Sequence, residues 1–195
     1  MKRFKQYLLE SNQSELTHVM SGPLNDMMGD DSSEHAYHAS IPSTSGSTNL
    51  WISHVERPLG SQNLQEPHHE LHFSISDSLT PDAFHKQRME LENKGDRRSK
   101  EPCMICYSIA GERENQYSTS FRGPSTMLHV LRHMQGIIEK IPSGHKILIN
   151  AASDDPKDTE KKATAYRAMA GRLERTGLVK TQMNKDGSSF IMHRI

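Results

Sequence analysis

The stretch GPSTMLHVLRHMQGIIEKIPSGHKILIN, from Gly123 to Asn150, decides the fold class. Its apolar residues recur at helical spacing up to Pro142 and Gly144, which end the helix. The predicted inner face of this helix consists of Leu128, Leu131, Ile138 and Ile141, flanked by Met127, Met134 and Ile137. The following segment, residues 146–150, is apolar in its centre and predicts a short buried strand. A helix with one apolar face beside such a strand is typical of helices packed on a sheet.

Regular elements extend on both sides of this stretch. Upstream, the pattern predicts strands at Leu71–Ile75, Cys103–Ala110 and Gln116–Phe121, and a helix from Pro81 to about Asn93. Downstream, it predicts a helix from Asp155 to about Thr176 and a hairpin of Leu178–Met183 and Ser188–Arg194 that turns at Asn184–Gly187. We therefore expect an α+β domain over residues 66–195, with a single mixed sheet flanked by helices.

The chain before residue 66 has a different composition. Residues 11–65 are rich in Ser, Asn, Gln, Gly, Pro and His and show no sustained period, which predicts a long flexible N-terminal arm. Its one apolar segment, Leu50–Ile52 with Val55, is interpreted as an anchor on the following domain or on a partner. Residues 1–10 differ again, because Phe4, Tyr7 and Leu8 fall at helical spacing among basic residues. They predict a short amphipathic helix that needs a surface to dock on.

The overall composition excludes several classes of protein. The chain of 195 residues carries 24 Lys and Arg against 24 Asp and Glu, a formal net charge of zero. This balance argues against a general nucleic-acid-binding protein, since such proteins carry a basic excess. Two cysteines argue against a disulfide scaffold and suit a reducing compartment. The absence of a run of about 18 apolar residues predicts no membrane span.

Two histidine-containing patterns suggest zinc, and we expect neither to bind it. Cys103 and Cys106 precede a His129/His133 pair, but cysteines three apart in a strand point to opposite faces. We place the two histidines on the polar side of their helix. The segment His68-His-Glu-Leu-His72 departs from the zinc-protease pattern, which needs histidines four apart on a helix. We therefore predict no metal site and no cofactor.

Two further matches concern catalysis. His38-Ala-Ser-Ile41 and His72-Phe-Ser-Ile75 resemble the paired His-x-Ser/Thr motifs of two-histidine phosphoesterases, in which one histidine acts as base and the other as acid. The first copy lies in the predicted arm, where a catalytic group would not be held rigidly. We therefore predict no catalytic residues.

The element order from Gln116 to Ile195 resembles the core of the GNAT acyltransferases. In that family, a loop between a strand and a helix cradles the pyrophosphate of acyl-CoA. The corresponding loop here is Phe121-Arg-Gly-Pro-Ser125, in which Arg122 and Gly123 match the family pattern. The spacing differs, and Pro124 removes an N–H donor from the cradle. The resemblance implies a GNAT-like fold with a degenerate acyl-CoA loop, and it favours a non-enzymatic scaffold over acyl transfer.

The first ten residues resemble the capsid-targeting peptides of phage internal head proteins, whose pattern is Met-Lys-x-aromatic-x-x-aliphatic/aromatic-x-x-Glu. The resemblance assigns capsid targeting to Phe4, Tyr7 and Leu8. In that family, the prohead protease cuts after a glutamate that follows Leu or Ile by two residues. Leu8-Leu9-Glu10, followed by Ser11, matches this cleavage site.

The domain carries a second resemblance. Residues 70–195 are similar in element order and patterning to the N-terminal, non-catalytic region of the head-packaged ADP-ribosyltransferase of large lytic phages. The shared features are Phe73–Ile75, Cys103–Ala110, the helix after Gly123–Pro124, Ile147–Ile149, the helix to Leu173 and the terminal Phe190–Arg194.

Together the two resemblances imply a virion protein inside the phage head that is ejected with the DNA into the host cytoplasm. The implied partners are phage capsid or scaffold proteins, the prohead protease and an unidentified host protein, with no membrane and no specific nucleic acid. Two alternatives stay open. One is an active GNAT-type acyltransferase, and the other is a permanent structural virion protein whose arm wraps its neighbours.

Overall fold

A single mixed sheet of seven strands organises the chain in the computed structural model, which describes residues 15–23, 32–43, 46–58, 67–100, 102, 124–150, 164, 167–183 and 189–195. The strands are β1 (Thr17–Pro23), β2 (Ser33–Ser43), β3 (Gly46–Arg57), β4 (His68–Ser76), β5 (Lys146–Asn150), β6 (Val179–Met183) and β7 (Ser189–Arg194). The helices are α1 (Pro81–Asn93), a short 3-10 helix (Arg97–Lys100), α2 (Pro124–Ile138) and α3 (residues 167–174). The predicted α+β class with one mixed sheet is confirmed.

The strand order is β1-β2-β3-β4-β5-β7-β6, and every neighbouring pair is antiparallel except β4 and β5. These two strands run parallel over only three residue pairs, from His68↔Lys146 to Glu70↔Leu148. β4 then continues to Ser76 without β5 beside it. The described pairing between the fourth and fifth strands of the sheet is therefore short.

The prediction of a flexible arm over residues 11–65 is wrong for residues 17–23, 33–43 and 46–57, which form β1, β2 and β3. The strands pair with one another and with β4. Their composition misled the prediction because many of the side chains on the sheet are Ser, Thr or His rather than large apolar residues. Such polar side chains interact with residues on neighbouring strands. The sequence therefore shows little of the alternation of apolar and polar residues that identifies a strand. Apart from residues 15, 16, 32 and 58, the rest of the predicted arm lies outside the described residues.

The front face of the sheet, defined as the face that packs against α2 and α3, carries the larger core. Its sheet residues include Ile41, Leu50, Ile52, Leu71 and Ile147. The predicted inner face is confirmed at Leu131 and Ile138 of α2 and at Ile141 just beyond its end, all of which are buried. The predicted flanking residues Met134 and Ile137 are also buried. Leu128 is only half-buried, while Val130 joins the core. The expected polar placement of His133 is wrong, since this side chain is 8% exposed.

The back face of the sheet packs against α1 around Trp51. The indole Nε1–H of Trp51 donates to the carbonyl oxygen of Leu79 at 2.7 Å, and its ring stacks on Phe84 with the centroids 5.0 Å apart. Helix α1 begins as predicted, because the Thr80 hydroxyl caps it by accepting from the Ala83 amide. Trp51 of the apolar segment Leu50–Ile52 therefore lies in the second core, whereas its neighbours Leu50 and Ile52 lie in the larger core of the front face.

The C-terminal half follows the prediction closely. Strand β5 has the predicted bounds, the hairpin strands β6 and β7 begin one residue later than predicted, and α3 lies within the predicted last helix. The predicted strands at Cys103–Ala110 and Gln116–Phe121, the turn at Asn184–Gly187 and the amphipathic residues 1–10 lie outside the described residues. Among the helices that the structure describes, none combines the length and apolarity needed to cross a membrane.

Candidate functional site

Four histidines and a glutamate line one end of the front face, and we call them the histidine row. They are His35 on β2, His54 and Glu56 on β3, His69 on β4, and His145 just before β5. The strand register places His35 opposite His54 and Glu56 opposite His69. Residues two apart on a strand share a face, so His54 and Glu56 point the same way. The pairing thus gathers side chains that are far apart in sequence.

The imidazoles of the histidine row are joined by hydrogen bonds. His54 Nε2 lies 2.9 Å from His69 Nδ1, and His69 Nε2 lies 2.9 Å from His145 Nδ1. His145 is fixed by the turn before β5, where Gly144 adopts a φ of +86° that favours glycine. The Gly144 amide donates to the carbonyl of Arg194, and the Arg194 amide donates to the carbonyl of His145. The terminal strand therefore positions this end of the row.

Ser21 of β1 holds the other end. Its hydroxyl oxygen lies 2.7 Å from His35 Nδ1 and 2.8 Å from His18 Nε2. Glu56 then approaches from the open side, with its Oε1 atom 3.8 Å from His35 Nε2 and 4.0 Å from His54 Nε2. Its side chain is 49% exposed, so solvent reaches this side of the row.

The buried members of the row are neutral at neutral pH. Burial, with the neighbouring His69 and His35 charges, lowers the pKa of His54 to about 3. Burial, with His145 and His68, lowers the pKa of His69 to about 4. A neutral imidazole has one N–H donor and one nitrogen lone pair. Each of these rings can therefore donate on one side and accept a proton, a hydrogen bond or a metal ion on the other.

A second polar cluster lies on the back face around Glu70. Arg57 Nε donates to Glu70 Oε1 at 2.5 Å, and His72 Nε2 lies 3.2 Å from Glu70 Oε2. Burial by itself would raise the pKa of Glu70, but the hydrogen bonds from His72 and Arg57 outweigh it and lower the pKa to about 2. This carboxylate is therefore ionised at neutral pH and is poorly suited to proton transfer.

His68 is the unusual member of this back-face cluster. It is 1% exposed, and neither ring nitrogen has a hydrogen-bond partner among the described residues. Its Nε2 atom lies 3.6 Å from Glu70 Oε1, beyond hydrogen-bonding distance. The His68 ring nonetheless lies close to the Glu70 carboxylate.

The site residues predicted from the sequence lie outside the described part of the chain. This holds for the predicted capsid-targeting and processing residues Phe4, Tyr7, Leu8, Glu10 and Ser11 and for the predicted acyl-CoA residues Arg122 and Gly123. Helix α2 begins at Pro124, directly after Gly123. Cys103 and Cys106 are also outside the described residues.

The two His-x-Ser-Ile histidines lie on the back face, on strands separated by β3. His38 Nε2 lies 2.9 Å from Asn49 Oδ1, and its ring packs on Trp51. His72 contacts Glu70 instead. The two imidazoles therefore have different partners, and the structure brings the His54–Glu56–His69 group together more closely than this predicted pair.

Sequence reasoning missed the histidine row. The available signal was His54-x-Glu56, a spacing that puts two ligand-type side chains on one face of a strand. That signal was hidden by the assignment of residues 11–65 to an arm. His69 was noticed only within a helical zinc-protease pattern, although β4 presents it on a strand.

Comparison with protein-family models finds no match, and neither the curated proteins nor the solved structures show a significant match to this chain.

Proposed function

We propose that this chain is a phage internal head protein that is packaged in the capsid and cleaved after Glu10. It then enters the host cytoplasm with the DNA and binds a host factor. The observation that carries this proposal is the sequence Leu8-Leu9-Glu10, followed by Ser11, at the end of the amphipathic segment that contains Phe4 and Tyr7. It resembles both the targeting peptide and the cleavage site of that protein class.

The position of Glu10 in the sequence supports processing there. The first described strand begins downstream of it, at Thr17. Cleavage after Glu10 would therefore leave all seven described strands and their pairs intact.

The location of β1–β3 bears on the alternative of a structural virion protein with a wrapping arm. These strands pair within the chain, from β1 through β3 to β4. The backbone hydrogen bonds of β2 and β3, and of one side of β1, are thus used inside one sheet, which favours a self-contained domain over an arm laid across neighbouring subunits.

The intact mass of the protein recovered from purified phage particles tests the proposal. We expect a species that begins at Ser11. The Glu10→Gln variant should stay full length because the protease requires a glutamate before the cleaved bond, whereas the control Glu15→Gln should be trimmed normally. A full-length wild-type chain in particles, or no chain in particles, would overturn the proposal.

A GNAT-type acyltransferase is the second candidate, and the short parallel pairing of β4 and β5 favours it. We infer a GNAT-like fold because α2, β5, α3, β6 and β7 follow in the order that the resemblance requires. Ligands of sheets with parallel strands bind where neighbouring strands diverge, outside their carboxyl ends. The N-terminus of α2, directly after Arg122 and Gly123, offers a place for a pyrophosphate.

Acetyl-CoA binding separates the two candidates. If the acyltransferase candidate is correct, acetyl-CoA raises the melting temperature, because a ligand of the native state stabilises it. The Arg122→Ala variant should lose this shift, while the control Lys140→Ala, at an exposed residue, should keep it. The absence of a shift in the wild-type chain at millimolar acetyl-CoA would remove this candidate.

A further inference from the structure

We propose that His54, Glu56 and His69 form a zinc-binding site, with His35 as the fourth ligand on the solvent side. The proposal concerns the folded domain and does not depend on the proposed function. It rests on the geometry of the histidine row, on the way the rings are held, and on the chemistry of the donor set.

Binding of one ion replaces the hydrogen bond between His54 Nε2 and His69 Nδ1, because both nitrogens must then present a lone pair to the metal. One ligand atom from each of His54, Glu56 and His69 lies within 4.8 Å of the others. Ligand atoms of a tetrahedral zinc ion, bound at about 2.0–2.2 Å, lie about 3.3–3.6 Å apart. Glu56 is the half-exposed member, so rotation of its side chain can close the remaining gap while the strands stay in place.

The rings are oriented by a second layer of contacts. His69 presents Nδ1 toward His54, while its Nε2 atom is 2.9 Å from His145 Nδ1. His35 presents Nε2 toward Glu56, while its Nδ1 atom is 2.7 Å from the hydroxyl of Ser21. Histidines that bind metals characteristically use their second nitrogen in this way, because the outer partner fixes the ring orientation.

The donor set favours zinc over calcium or magnesium. Imidazole nitrogens suit zinc, whereas calcium and magnesium prefer oxygen ligands. The ion pairs recorded for Glu56 among the described residues are both with histidines, His35 and His54. A divalent cation would give the Glu56 carboxylate the positively charged partner that neutral imidazoles do not provide.

Titration of zinc chloride into the chelator-treated full-length chain tests the site. We expect one equivalent to bind, with a rise in melting temperature. Glu56→Gln and His69→Gln should each weaken binding by more than about 100-fold, and Ser21→Ala by about 10-fold, through loss of a ligand and of an outer partner respectively. The controls His85→Gln and Glu92→Gln, at exposed positions on α1, should bind as the wild type does.

The decisive variant is Glu56→Gln, because its exposed side chain contributes little to the core and the protein should fold normally. No zinc binding by the wild type would overturn the proposal. Binding that survives both Glu56→Gln and His69→Gln would overturn it equally, since the ion would then be held elsewhere. Cobalt in place of zinc adds a spectroscopic readout, and we expect the intense visible absorption of a tetrahedral ion.

Discussion

Acidification of the metal-free chain from pH 7 to pH 4.5 is expected to lower its free energy of unfolding by about 6 kcal/mol. The groups responsible are His54, His69 and His133, whose pKa values in the folded chain are about 3, 4 and 4. For His133, burial is the largest cause, followed by the charges of His129 and Arg132.

The direction follows from proton binding. The folded state keeps these imidazoles neutral, whereas the unfolded chain protonates them near pH 6.5. Their contribution to stability is therefore complete above about pH 6.5 and falls with pH until the folded chain itself takes up protons near pH 3–4. By pH 4.5, each group contributes a loss of about 2 kcal/mol, after allowance for solvent screening. The total is comparable with the whole stability of an ordinary domain, about 5–15 kcal/mol.

Urea unfolding at a series of pH values, in the presence of a chelator, measures this loss. Replacement of His133 by Met should flatten the pH dependence by about one third, because one of three comparable contributions is removed. The control His85→Met, at an exposed position on α1, should leave the slope unchanged. A free energy of unfolding that is constant between pH 7 and pH 5 would contradict the prediction. Glu70 does not interfere, since its folded pKa of about 2 confines its own loss to the range below about pH 4.5.

Replacement of Arg57 by Met is expected to destabilise the chain by about 3–5 kcal/mol. Arg57 is 7% exposed, and its Nε–H donates to Glu70, whose side chain is 16% exposed. Loss of the guanidinium leaves the largely buried Glu70 carboxylate without its cationic partner. Of the neighbouring histidines described above, His72 stays in contact with Glu70, and His68 is more distant. Removing one partner of a buried ion pair is costly because the other charge stays desolvated.

A double-mutant cycle distinguishes this effect from simple loss of packing. Arg57→Met combined with Glu70→Gln should be less destabilising than the sum of the two single changes, because the double variant buries no unpaired charge. Lys86→Met, at an exposed residue on α1, serves as the control for removal of a surface cation. A loss below about 1 kcal/mol for Arg57→Met would show that the pair behaves as an exposed salt bridge.

The sequence predicted those elements whose signals are local. Helix α1 has a capping threonine followed by Pro81, and α2 has one apolar stripe that ends before Pro142. Strand β5 is a short apolar run between turn residues. These features specify the backbone conformation within a few residues, so they can be recognised without knowledge of the rest of the chain.

The sequence did not predict β1, β2 and β3, because their residues are stabilised by partners far along the chain. Glu34 is buried on β2 and accepts a hydrogen bond from the Ser53 hydroxyl, and His38 packs on Trp51. Such polar residues resemble a loop composition when they are read in order. Only cross-strand pairing turns them into the inside of a sheet.

By itself, the sequence determined the α+β class and, in the described C-terminal part, α2, β5 and the strands β6 and β7. The tertiary structure alone decided that residues 17–23, 33–43 and 46–57 belong to the sheet and that His54, Glu56 and His69 meet. The reason is the register. Strand β3 places His54 and Glu56 on one face because alternate side chains of a strand share a face. Which residues of β2 and β4 lie beside those of β3 is set by non-local pairing, which no local sequence pattern specifies.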